Sequence, residues 1–420
     1  MLRFAPSPTG LLHVGNLRVA LLNYLFAKKH NKKFFLRIDD TDLERSSEKY
    51  TESIISDLKW LNIEYFDIFK QSERMGKYID VFNYLKKKEF IYPCFESAEE
   101  LSLKRKILLK QGRPPIYDRG SLKLKKSEIS SLISSGKKPH WRLKLNDEVI
   151  TWEDKIHDKV TFKNLSISDP IIFRSDELPL FTITSVVDDA DLNVTHIMRG
   201  DDHLTNTAAQ IQLFKMLDSK VPEFGHFPLI KSISGEGLSK RVGKDSINQL
   251  RSEKVHPLII INYLSKIGTS SSVESIIGID KLIQEFDLKI FSKNSIFYDP
   301  NDLHRLNSKY LKELSFQELK KITNPIFNQS FWEIVKSNID NIKEAEDWYE
   351  IINSELILED KVVLSNDLKK IILDELPEKI NSKTWMEWTK KISDQSLIKV
   401  FGKLLNLILI TSKRQKIGMK

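Results

Sequence analysis

The chain has 420 residues, too many for one hydrophobic core, and its 40% hydrophobic content is ample for several cores. Its formal net charge of +8 points to a polyanionic partner, although an ordinary basic enzyme could carry the same charge. The single cysteine, Cys94, excludes a disulfide framework and a zinc site built from cysteines. No apolar run approaches the roughly 20 residues that a membrane span needs. A candidate loop near residue 5 leaves no room for a signal peptide, so we expect a cytoplasmic protein.

The first part of the chain alternates between strand and helix patterns. Short apolar runs at residues 2–5 and 33–38 are typical of buried strands, and apolar spacing predicts helices over 16–29 and around 54–61. Strand, helix, strand, helix is the pattern of a parallel α/β sheet. Ligands bind such sheets at the carboxyl ends of the strands, where "PSPTG" and "DDTD" stand.

The pattern changes further along the chain. Residues 73–180 mix polar loops with short alternating segments, which indicates an inserted α+β module. The α/β pattern returns in residues 181–245, and from there to the end the sequence is mostly helical, including 366–376 and 397–410. We therefore predict domains at 1–72, 73–180, 181–245, 246–310 and 311–420.

Two motifs carry the chemistry. "HVGN" (13–16) places a histidine and a glycine at the start of a helix, where backbone amides attract phosphate and Gly15 allows close approach. "GEGLSKR" (235–241) is a glycine-rich loop with two cations that could close over a triphosphate, or be a solvated turn. Either motif alone is weak, but together they form a two-part signature.

With these motifs, the chain resembles the class I aminoacyl-tRNA synthetases, and specifically the bacterial-type glutamyl-tRNA synthetases. The matching stretches include "RFAPSPTGLLHVGN", "RIDDTDLERS", "GRPPIYD", "VVDDADLNVTHIMRGDDHLTNT" and "LSKRVG", in the family's order over residues 3–243. The resemblance implies a Rossmann-like parallel sheet, an inserted module for the tRNA acceptor stem, a helical stem-contact domain and a helical anticodon-binding region. The last region looks shorter than is usual in the family.

The implied reaction joins glutamate to ATP as glutamyl-AMP and then to tRNA. Such enzymes need no side-chain nucleophile, because rate comes from positioning and charge stabilisation. The resemblance assigns the catalytic phosphate contacts to His13 and Lys240, with Mg²⁺ accompanying ATP. The implied ATP-binding residues are Pro6, Thr9, His13, Gly15, Asn16, His203, Leu238, Ser239, Lys240 and Arg241.

The resemblance also implies a pocket for glutamate. Its residues would be Arg3, Ser7, Asp39, Phe181, Ser185 and Arg199. Arginine suits a carboxylate because it pairs with it through two bonds. Alternatively, Arg199 is a structural ion-pair residue and Ser7 stabilises its turn. Asp39 stands where the family usually has glutamate, and Phe181 where tyrosine is usual, so two polar contacts are altered.

Further residues are expected to act in tRNA binding or in structure. Arg113, Tyr117 and Arg119 of "GRPPIYDR" would contact the acceptor end, or else brace the loop. The acidic pairs Asp188–Asp189 and Asp201–Asp202 are interpreted as structural. Cys94 lies where some relatives bind zinc, but its companion cysteines are absent, so we expect no structural zinc. The expected partners are glutamate, ATP and tRNA-Glu, with tRNA-Gln left open. The protein itself is expected to be a monomer.

Three alternatives compete with this prediction. A truncated relative that glutamylates a tRNA base would lack the anticodon-binding region, whereas this chain continues well past residue 310. A nucleotidyltransferase for small molecules would leave the insertion and the helical region without a role. A non-catalytic RNA-binding paralogue would be expected to lose His13 or Lys240, and both are present.

Overall fold

The structure, a computed structural model, describes residues 1–163, 166–235, 246–353 and residue 374. The chain forms two compact units, one of Met1–Ser252 with His256–Leu303, the other of Glu253–Val255 with the chain from His304 onward. No helix within the described ranges is long and apolar enough to cross a membrane. The predicted helix at 397–410 lies outside the described residues, as does 366–376 apart from residue 374. The five predicted domain boundaries remain predictions.

The strands are short, and most belong to the first half of the chain. Their bounds are β1 (Leu2–Phe4), β2 (Phe34–Ile38), β3 (Ile68–Lys70), β4 (Ile91–Cys94), β5 (His140–Leu143), β6 (Ile150–Asp154), β7 (Asp158–Phe162), β8 (Ile171–Phe173), β9 (His196–Gly200), β10 (Glu223–Phe227), β11 (Ile230–Ser232) and β12 (Ile296–Tyr298). In the described part of the chain they pair in the orders β1-β2-β3, β7-β6-β10-β9, β4-β5-β8 and β11-β12.

The predicted parallel sheet is confirmed. β2 pairs in parallel with β1 and β3, and β10 pairs in parallel with β9 and β6. The amides of Thr195 and His196 donate to the carbonyl of Met1 at 2.9 and 3.3 Å, so β9 begins beside the start of β1. The carboxyl ends of β1 and β9 therefore lie at one edge, and the loops that follow them meet there.

Strands from the predicted insertion divide between two sheets. β4, β5 and β8 form an antiparallel sheet of their own. By contrast, β6 and β7 form a hairpin whose first strand pairs with β10. Part of residues 73–180 thus extends the sheet that carries β9, with Trp152 of β6 and Phe224 of β10 buried in one core cluster.

Helices cover most of the remaining described chain. Their bounds are α1 (Val14–Lys29), α2 (Glu48–Trp60), α3 (Met75–Lys87), α4 (Ala98–Lys110), α5 (Lys126–Ser134), α6 (Phe181–Asp191), α7 (Leu204–Met216), α8 (Ile247–Ser252), α9 (Pro257–Lys266), α10 (Ile279–Glu285), α11 (Pro300–Glu313), α12 (Phe316–Ile322), α13 (Gln329–Val335) and α14 (Ile342–Asn353). The helices predicted over 16–29 and around 54–61 correspond to α1 and α2.

Helix α1 is buried on nearly every side, because it packs against β1, α9 and α10. Its polar Asn23 is fully buried and donates from Nδ2 to the carbonyls of Val19 and Met198 at 2.8 and 2.9 Å. The bond from Nδ2 to Met198 ties the helix to β9. The start of α1 is therefore held at the edge where the strands end.

The second unit is helical where it is described, as predicted for the chain after residue 310. Its core surrounds Trp332, which is fully buried and donates from Nε1 to the carbonyl of Leu314 at 2.9 Å. Ser315 begins α12 with a reciprocal capping box, and Asn328 caps α13 through the amide of Phe331. This unit has its own hydrophobic core, so it is a compact body in its own right.

Candidate functional site

A cavity of about 490 Å³ opens at the carboxyl ends of β1 and β9, beside the start of α1. The two strands are neighbours, so the loops that follow them converge at this point. The structure brings together ten of the residues predicted from the sequence as lining residues: Arg3, Pro6, Ser7, Thr9, His13, Gly15, Asn16, Phe181, Arg199 and His203. The roles assigned to these residues remain predictions.

His13 begins α1 as its N-cap. Its Nδ1 accepts from the backbone amides of Gly15 and Asn16 at 3.1 and 3.3 Å. Burial lowers the pKa of His13, so the ring is neutral near pH 7. Because Nδ1 is the acceptor, the proton of this tautomer lies on Nε2. The histidine of "HVGN" thus satisfies helix amides itself and keeps one N–H donor at the cavity.

A buried cluster of charges lies beside the cavity, centred on Arg37 of β2. Its guanidinium donates to both oxygens of Asp39 at 2.6 and 3.1 Å, and to Asp189 at 3.0 Å. The carboxylate of Asp189 also accepts two bonds from Arg3, at 3.0 and 3.2 Å. Both arginines are thus held by carboxylates inside the protein. We call Arg3, Arg37, Asp39 and Asp189 the buried charge cluster.

Asp188 shares only a long contact, 3.9 Å from Arg37 Nε, with the partners described for its neighbour Asp189. Its carboxylate accepts from Arg74 Nε at 2.7 Å, from Gln71 Nε2 at 2.8 Å and from the Tyr78 hydroxyl at 3.0 Å. Both aspartates of α6 are therefore engaged in internal bonds, in line with their interpretation as structural. From the second acidic pair, Asp202 lines the cavity, which the sequence analysis did not expect.

Arg199 differs from the arginines of the buried charge cluster. It is 6% exposed, and its Nη2 donates to Thr207 Oγ1 and Gln210 Oε1, both at 2.6 Å. Its Nε and Nη1 are buried and bond to none of the described residues, and no described carboxylate forms an ion pair with it. Burial, reinforced by the positive charge of Arg3, lowers the pKa of Arg199 to about 9. The guanidinium stays charged near pH 7 with two donors unused.

Arg18 shows what a satisfied buried arginine looks like in this protein. It is 1% exposed and donates to the carbonyls of Leu264, Pro228 and Ile267 at 3.2, 3.5 and 3.1 Å. Its guanidinium also lies 5.9 Å from the ring centroid of Phe227. Arg18 therefore fastens α1 to its neighbours, whereas Arg199 has capacity left for a ligand.

His203 and Phe181 form the aromatic part of the cavity wall. Their ring centroids are 5.2 Å apart. Burial, followed by the positive charge of Arg199, lowers the pKa of His203 to about 4. A neutral imidazole beside a phenyl ring suits a flat, uncharged group such as a nucleobase better than a carboxylate.

Two predicted glutamate contacts do not line the cavity. Asp39 is directed at Arg37, which lines the cavity, and its backbone amide donates to the carbonyl of Pro6, another lining residue, at 3.0 Å. Ser185 is 1% exposed, and its hydroxyl accepts from Arg37 Nη2 at 3.4 Å. The sequence suggested ligand contacts at both positions, whereas the structure gives both side chains an internal arginine as partner.

The second motif falls outside the described residues. Leu238, Ser239, Lys240 and Arg241 all belong to 236–245, so their predicted contacts with ATP remain predictions. The described chain on either side does reach the cavity. Lys231 lines it, and Ser246 forms an antiparallel bridge with His13.

The predicted tRNA-binding residues separate into two kinds. Arg113 is exposed and lines a second cavity of about 730 Å³ between α4 and the loop that follows it. Tyr117 lines the same cavity, but its hydroxyl bonds to Glu96 at 2.8 Å and the Arg142 guanidinium lies 4.0 Å from its ring centroid. Arg119 donates to Asp169 at 2.7 Å. Internal bracing therefore accounts for Tyr117 and Arg119, and Arg113 alone of the three is exposed.

Cys94 lies in a group that resembles a metal site in composition. Ligand atoms of Cys94, Glu96 and His140 lie within 4.8 Å of one another. However, Glu96 already accepts from Tyr117 and Ser121, both at 2.8 Å, and burial raises the pKa of the Cys94 thiol. A protonated thiol and a committed carboxylate fit a hydrogen-bonded cluster better than a zinc site. The expected absence of zinc remains a prediction.

Arg37 is the main residue that sequence reasoning missed. The available signal was a cation inside the apolar run "KFFLRI", since a charge in a buried strand needs a partner. One partner, Asp39, is two positions away, but the other, Asp189, is 152 positions away and could not be identified.

Comparison with known proteins agrees with the geometry. Residues 1–305 match the family described as tRNA synthetases class I (E and Q), catalytic domain. The glutamate–tRNA ligase 1 of Wolbachia sp. subsp. Brugia malayi (strain TRS) is 42% identical over 402 residues, covering 95% of this chain and 90% of that protein. Glutamate–tRNA ligase 1 of Rickettsia bellii (strain OSU 85-389) is 43% identical over 397 residues, covering 93% and 89%.

Solved structures share the fold. The glutamate–tRNA ligase of Elizabethkingia meningosepticum, in complex with its amino acid, superposes with a TM-score of 0.72 at 23% identity, covering 94% of this chain and 89% of that one. The glutamate–tRNA synthetase of Elizabethkingia anophelis gives a TM-score of 0.74 at 22% identity, covering 99% and 96%. On the family match and the identity to its relatives, the chain belongs to the class I tRNA synthetases of the E and Q (glutamate and glutamine) group.

Proposed function

We propose that the protein is an ATP-dependent ligase that attaches glutamate to tRNA through a glutamyl-AMP intermediate. A glutamate carboxylate oxygen attacks the α-phosphate of ATP, the bond to the β-phosphate breaks, and pyrophosphate leaves. A terminal ribose hydroxyl of tRNA then attacks the activated carbonyl, and AMP leaves. Neither step needs a nucleophile from the protein, so its contribution is to position the reactants and stabilise charge.

The observation that carries the proposal is Arg199. A buried guanidinium without a carboxylate partner is costly, and a substrate carboxylate would both neutralise it and use its free Nε and Nη1. Arg3, which also lines the cavity, is already compensated by Asp189. Arg18 lines it too and pairs with none of the described carboxylates, but its Nε, Nη1 and Nη2 all donate to carbonyls. A substrate carboxylate would therefore be stabilised most at Arg199, which favours an amino acid whose side chain ends in a carboxylate.

The same argument separates glutamate from glutamine. An amide in place of the side-chain carboxylate would accept from one guanidinium N–H but leave the positive charge uncompensated. Hydrogen bonds to charged groups are worth about 1.5–3 kcal/mol, so we expect a discrimination of about tenfold to a hundredfold at this contact. Glutamate is thus the better match for Arg199.

The nucleotide would lie on the side of the cavity formed by the start of α1. His13 can donate from Nε2 to a phosphate oxygen, and Lys231 supplies a cation that also lines the cavity. Mg²⁺ enters with the substrate as the Mg–ATP complex. His203 and Phe181 suit the uncharged base. Lys240 enters the proposal through the resemblance of its motif alone.

The tRNA would approach from the side of Arg113, where cations line the second cavity. Two of the three other lining cations already have partners, since Lys104 pairs with Glu96 and Asp118, and Arg142 bonds to the Asp169 carbonyl; the third is Arg105. We further propose that the helical second unit contacts the anticodon, that the protein acts as a cytoplasmic monomer, and that tRNA-Glu is its main substrate.

The test is aminoacylation with labelled glutamate on purified tRNA-Glu and tRNA-Gln, with glutamine as the control amino acid. We expect glutamate to be charged onto tRNA-Glu. Charging of both tRNAs would add tRNA-Gln as a substrate, and charging of glutamine in preference to glutamate would overturn the proposal. Absence of glutamate transfer to either tRNA would also overturn it.

Two arginine variants focus the test on the site. Arg199→Gln should raise the glutamate KM by about a hundredfold, since it removes the charge and the paired donors. Arg251→Gln is the matched control, because Arg251 bonds to Ser56 and lies over Trp60, away from the cavity. An unchanged glutamate KM in Arg199→Gln would remove the main support for the proposal.

A further inference from the structure

A continuous chain of buried hydrogen bonds runs from Arg199 to an aspartate on a different strand. Arg199 Nη2 lies 2.6 Å from Thr207 Oγ1, which lies 2.8 Å from His226 Nε2. His226 Nδ1 lies 2.5 Å from Asp154 Oδ2. All four residues are buried, with His226 and Thr207 at 0% exposure. The chain connects β9, α7, β10 and β6, and no step described above uses its last three members.

The protons along this chain have one consistent arrangement. Burial lowers the pKa of His226 in spite of its bond to Asp154, so the imidazole is neutral. The Asp154 carboxylate can only accept, so Nδ1 carries the ring proton and Nε2 is the acceptor. The Thr207 hydroxyl has two acceptors within reach, His226 Nε2 at 2.8 Å and the His203 carbonyl at 3.2 Å, and this tautomer assigns its proton to the shorter bond. Its oxygen accepts from Arg199. In each bond the donor thus lies on the side of Arg199 and the acceptor on the side of Asp154.

Asp154 is itself held firmly. Its Oδ1 accepts from the backbone amides of Ile156, His157 and His226 at 3.0, 3.1 and 3.1 Å. Burial would raise the pKa of Asp154, but its bond from His226 and these amides lower it to about 2. The carboxylate therefore remains ionised and fixed at the turn between β6 and β7.

This chain can hold Arg199 in place without a carboxylate in direct contact with it. A carboxylate in direct contact with Arg199 would hold the guanidinium in place but would also occupy it. A hydrogen-bonded chain orients Nη2 while the negative charge stays beyond a threonine and a histidine. The guanidinium keeps its uncompensated charge and its free Nε and Nη1.

We propose that Thr207, His226 and Asp154 are positioning residues that orient Arg199 for the substrate carboxylate, an inference that rests on the proposed function. They act on glutamate only through Arg199. Thr207 is the point at which the chain can be cut with least disturbance, because Thr207→Val removes the hydroxyl and keeps the side-chain volume, and Thr207→Ser restores the hydroxyl.

The experiment measures glutamate-dependent ATP–pyrophosphate exchange by the full chain with tRNA present. For Thr207→Val we expect the glutamate KM to rise about tenfold, with kcat and the ATP KM within about twofold of wild type, since Gln210 still holds Nη2. Thr207→Ser should return the glutamate KM to near the wild-type value. Thr51→Val is the control, because Thr51 is a buried threonine of α2 whose hydroxyl bonds only weakly, at 3.5 Å, to the carbonyl of Ser47 just before that helix.

Two further variants make the result decisive. Asp154→Asn reverses the last bond, so that His226 would donate to Thr207 rather than accept, and it should also raise the glutamate KM. In an Arg199→Lys background, Thr207→Val should add little, because residues that act through a common partner are not additive.

The outcomes separate the two proposals. If the wild-type chain exchanges pyrophosphate with glutamate but Thr207→Val has an unchanged glutamate KM, this inference is overturned and the proposed function stands. The inference is also overturned if Thr207→Val raises the glutamate KM by the same factor in the wild type and in the Arg199→Lys background, or if it lowers only the fraction of folded protein. If the wild-type chain shows no glutamate-dependent exchange, the proposed function fails first.

Discussion

Replacing Asp189 by asparagine is expected to affect both stability and substrate binding. Asp189 is 2% exposed and accepts two bonds from Arg3 and one from Arg37, all between 3.0 and 3.2 Å. Asparagine keeps the shape but removes the charge, and its NH₂ group would face a guanidinium. Breaking a buried ion pair by removing one partner costs about 3–5 kcal/mol, which is a large part of a typical domain stability.

The effect on binding follows from the position of Arg3. Arg3 lines the cavity, and Asp189 is the acid that orients its guanidinium. Without that partner, Arg3 gains rotational freedom and loses charge compensation, so we expect the glutamate KM to rise about tenfold. The ATP KM should change less, because the residues at the start of α1 keep their bonds.

Asp188→Asn provides a matched control on the same helix. Asp188 is equally buried, and the residues that hydrogen-bond to it, Arg74, Gln71 and Tyr78, do not line the cavity. Its ion pair with Arg37, which does line the cavity, is longer, at 3.9 Å. Its loss is softened because Arg74 keeps a bond to Asp191 at 2.6 Å. We therefore expect a stability loss of about 1–3 kcal/mol and little change in the glutamate KM.

The assay combines urea denaturation of each variant with glutamate-dependent ATP–pyrophosphate exchange, at a temperature where both variants are folded. A glutamate KM that is the same in Asp189→Asn and Asp188→Asn would refute the reasoning. So would a stability loss of Asp189→Asn below about 1 kcal/mol, since an uncompensated buried charge cannot be that cheap.

Three further predictions concern pH, catalysis and tRNA. His256 caps α9 through Nδ1, and burial lowers its pKa from 6.5 to about 4, so its contribution to stability is present at neutral pH and is lost as pH falls through this window. His256→Asn can cap but does not titrate. When the pH falls from about 7.5 to about 5, its free energy of unfolding should drop by about 2 kcal/mol less than that of the wild type. Equal drops in urea titrations would contradict this. Lys240→Ala should slow adenylate formation about 10²–10³-fold in single-turnover assays with tRNA binding nearly unchanged, whereas a loss confined to tRNA affinity would argue against its role. Arg113→Ala should weaken tRNA binding and reduce the slope of log binding constant against log salt concentration by about 1. Arg119→Ala, which breaks the bond to Asp169, should mainly lower the melting temperature. Weaker tRNA binding in Arg119→Ala than in Arg113→Ala would contradict these roles.

Local features of the sequence were sufficient to predict the elements around the cavity. The apolar run before "PSPTG" indicates β1, and the spacing after "HVGN" indicates α1, since burial of a strand or a helix face leaves a periodic pattern in neighbouring residues. The parallel order of the strands then brings Ser7, His13 and Arg199 to one edge.

The sequence was less informative about residues whose role depends on distant partners. Asp39 and Ser185 occupy positions that suggested ligand contacts, but both are bonded to Arg37. Similarly, Arg119 looks like a phosphate-binding cation in "GRPPIYDR", yet Asp169 is its partner 50 positions away. The sequence shows which residues are basic and which are acidic, but it does not show which of them pair with each other.

By itself, the sequence determined a strand-to-helix turn with a histidine where the helix begins, and its resemblance to the family predicts arginines and phosphate binding there. Only the tertiary structure decided which of these arginines pair with carboxylates of the protein. Arg3 and Arg37 meet Asp189, whereas Arg199 meets Thr207 and Gln210. The physical reason is that burial makes a charge depend on its nearest partners, and these come from strands and helices far apart in the chain.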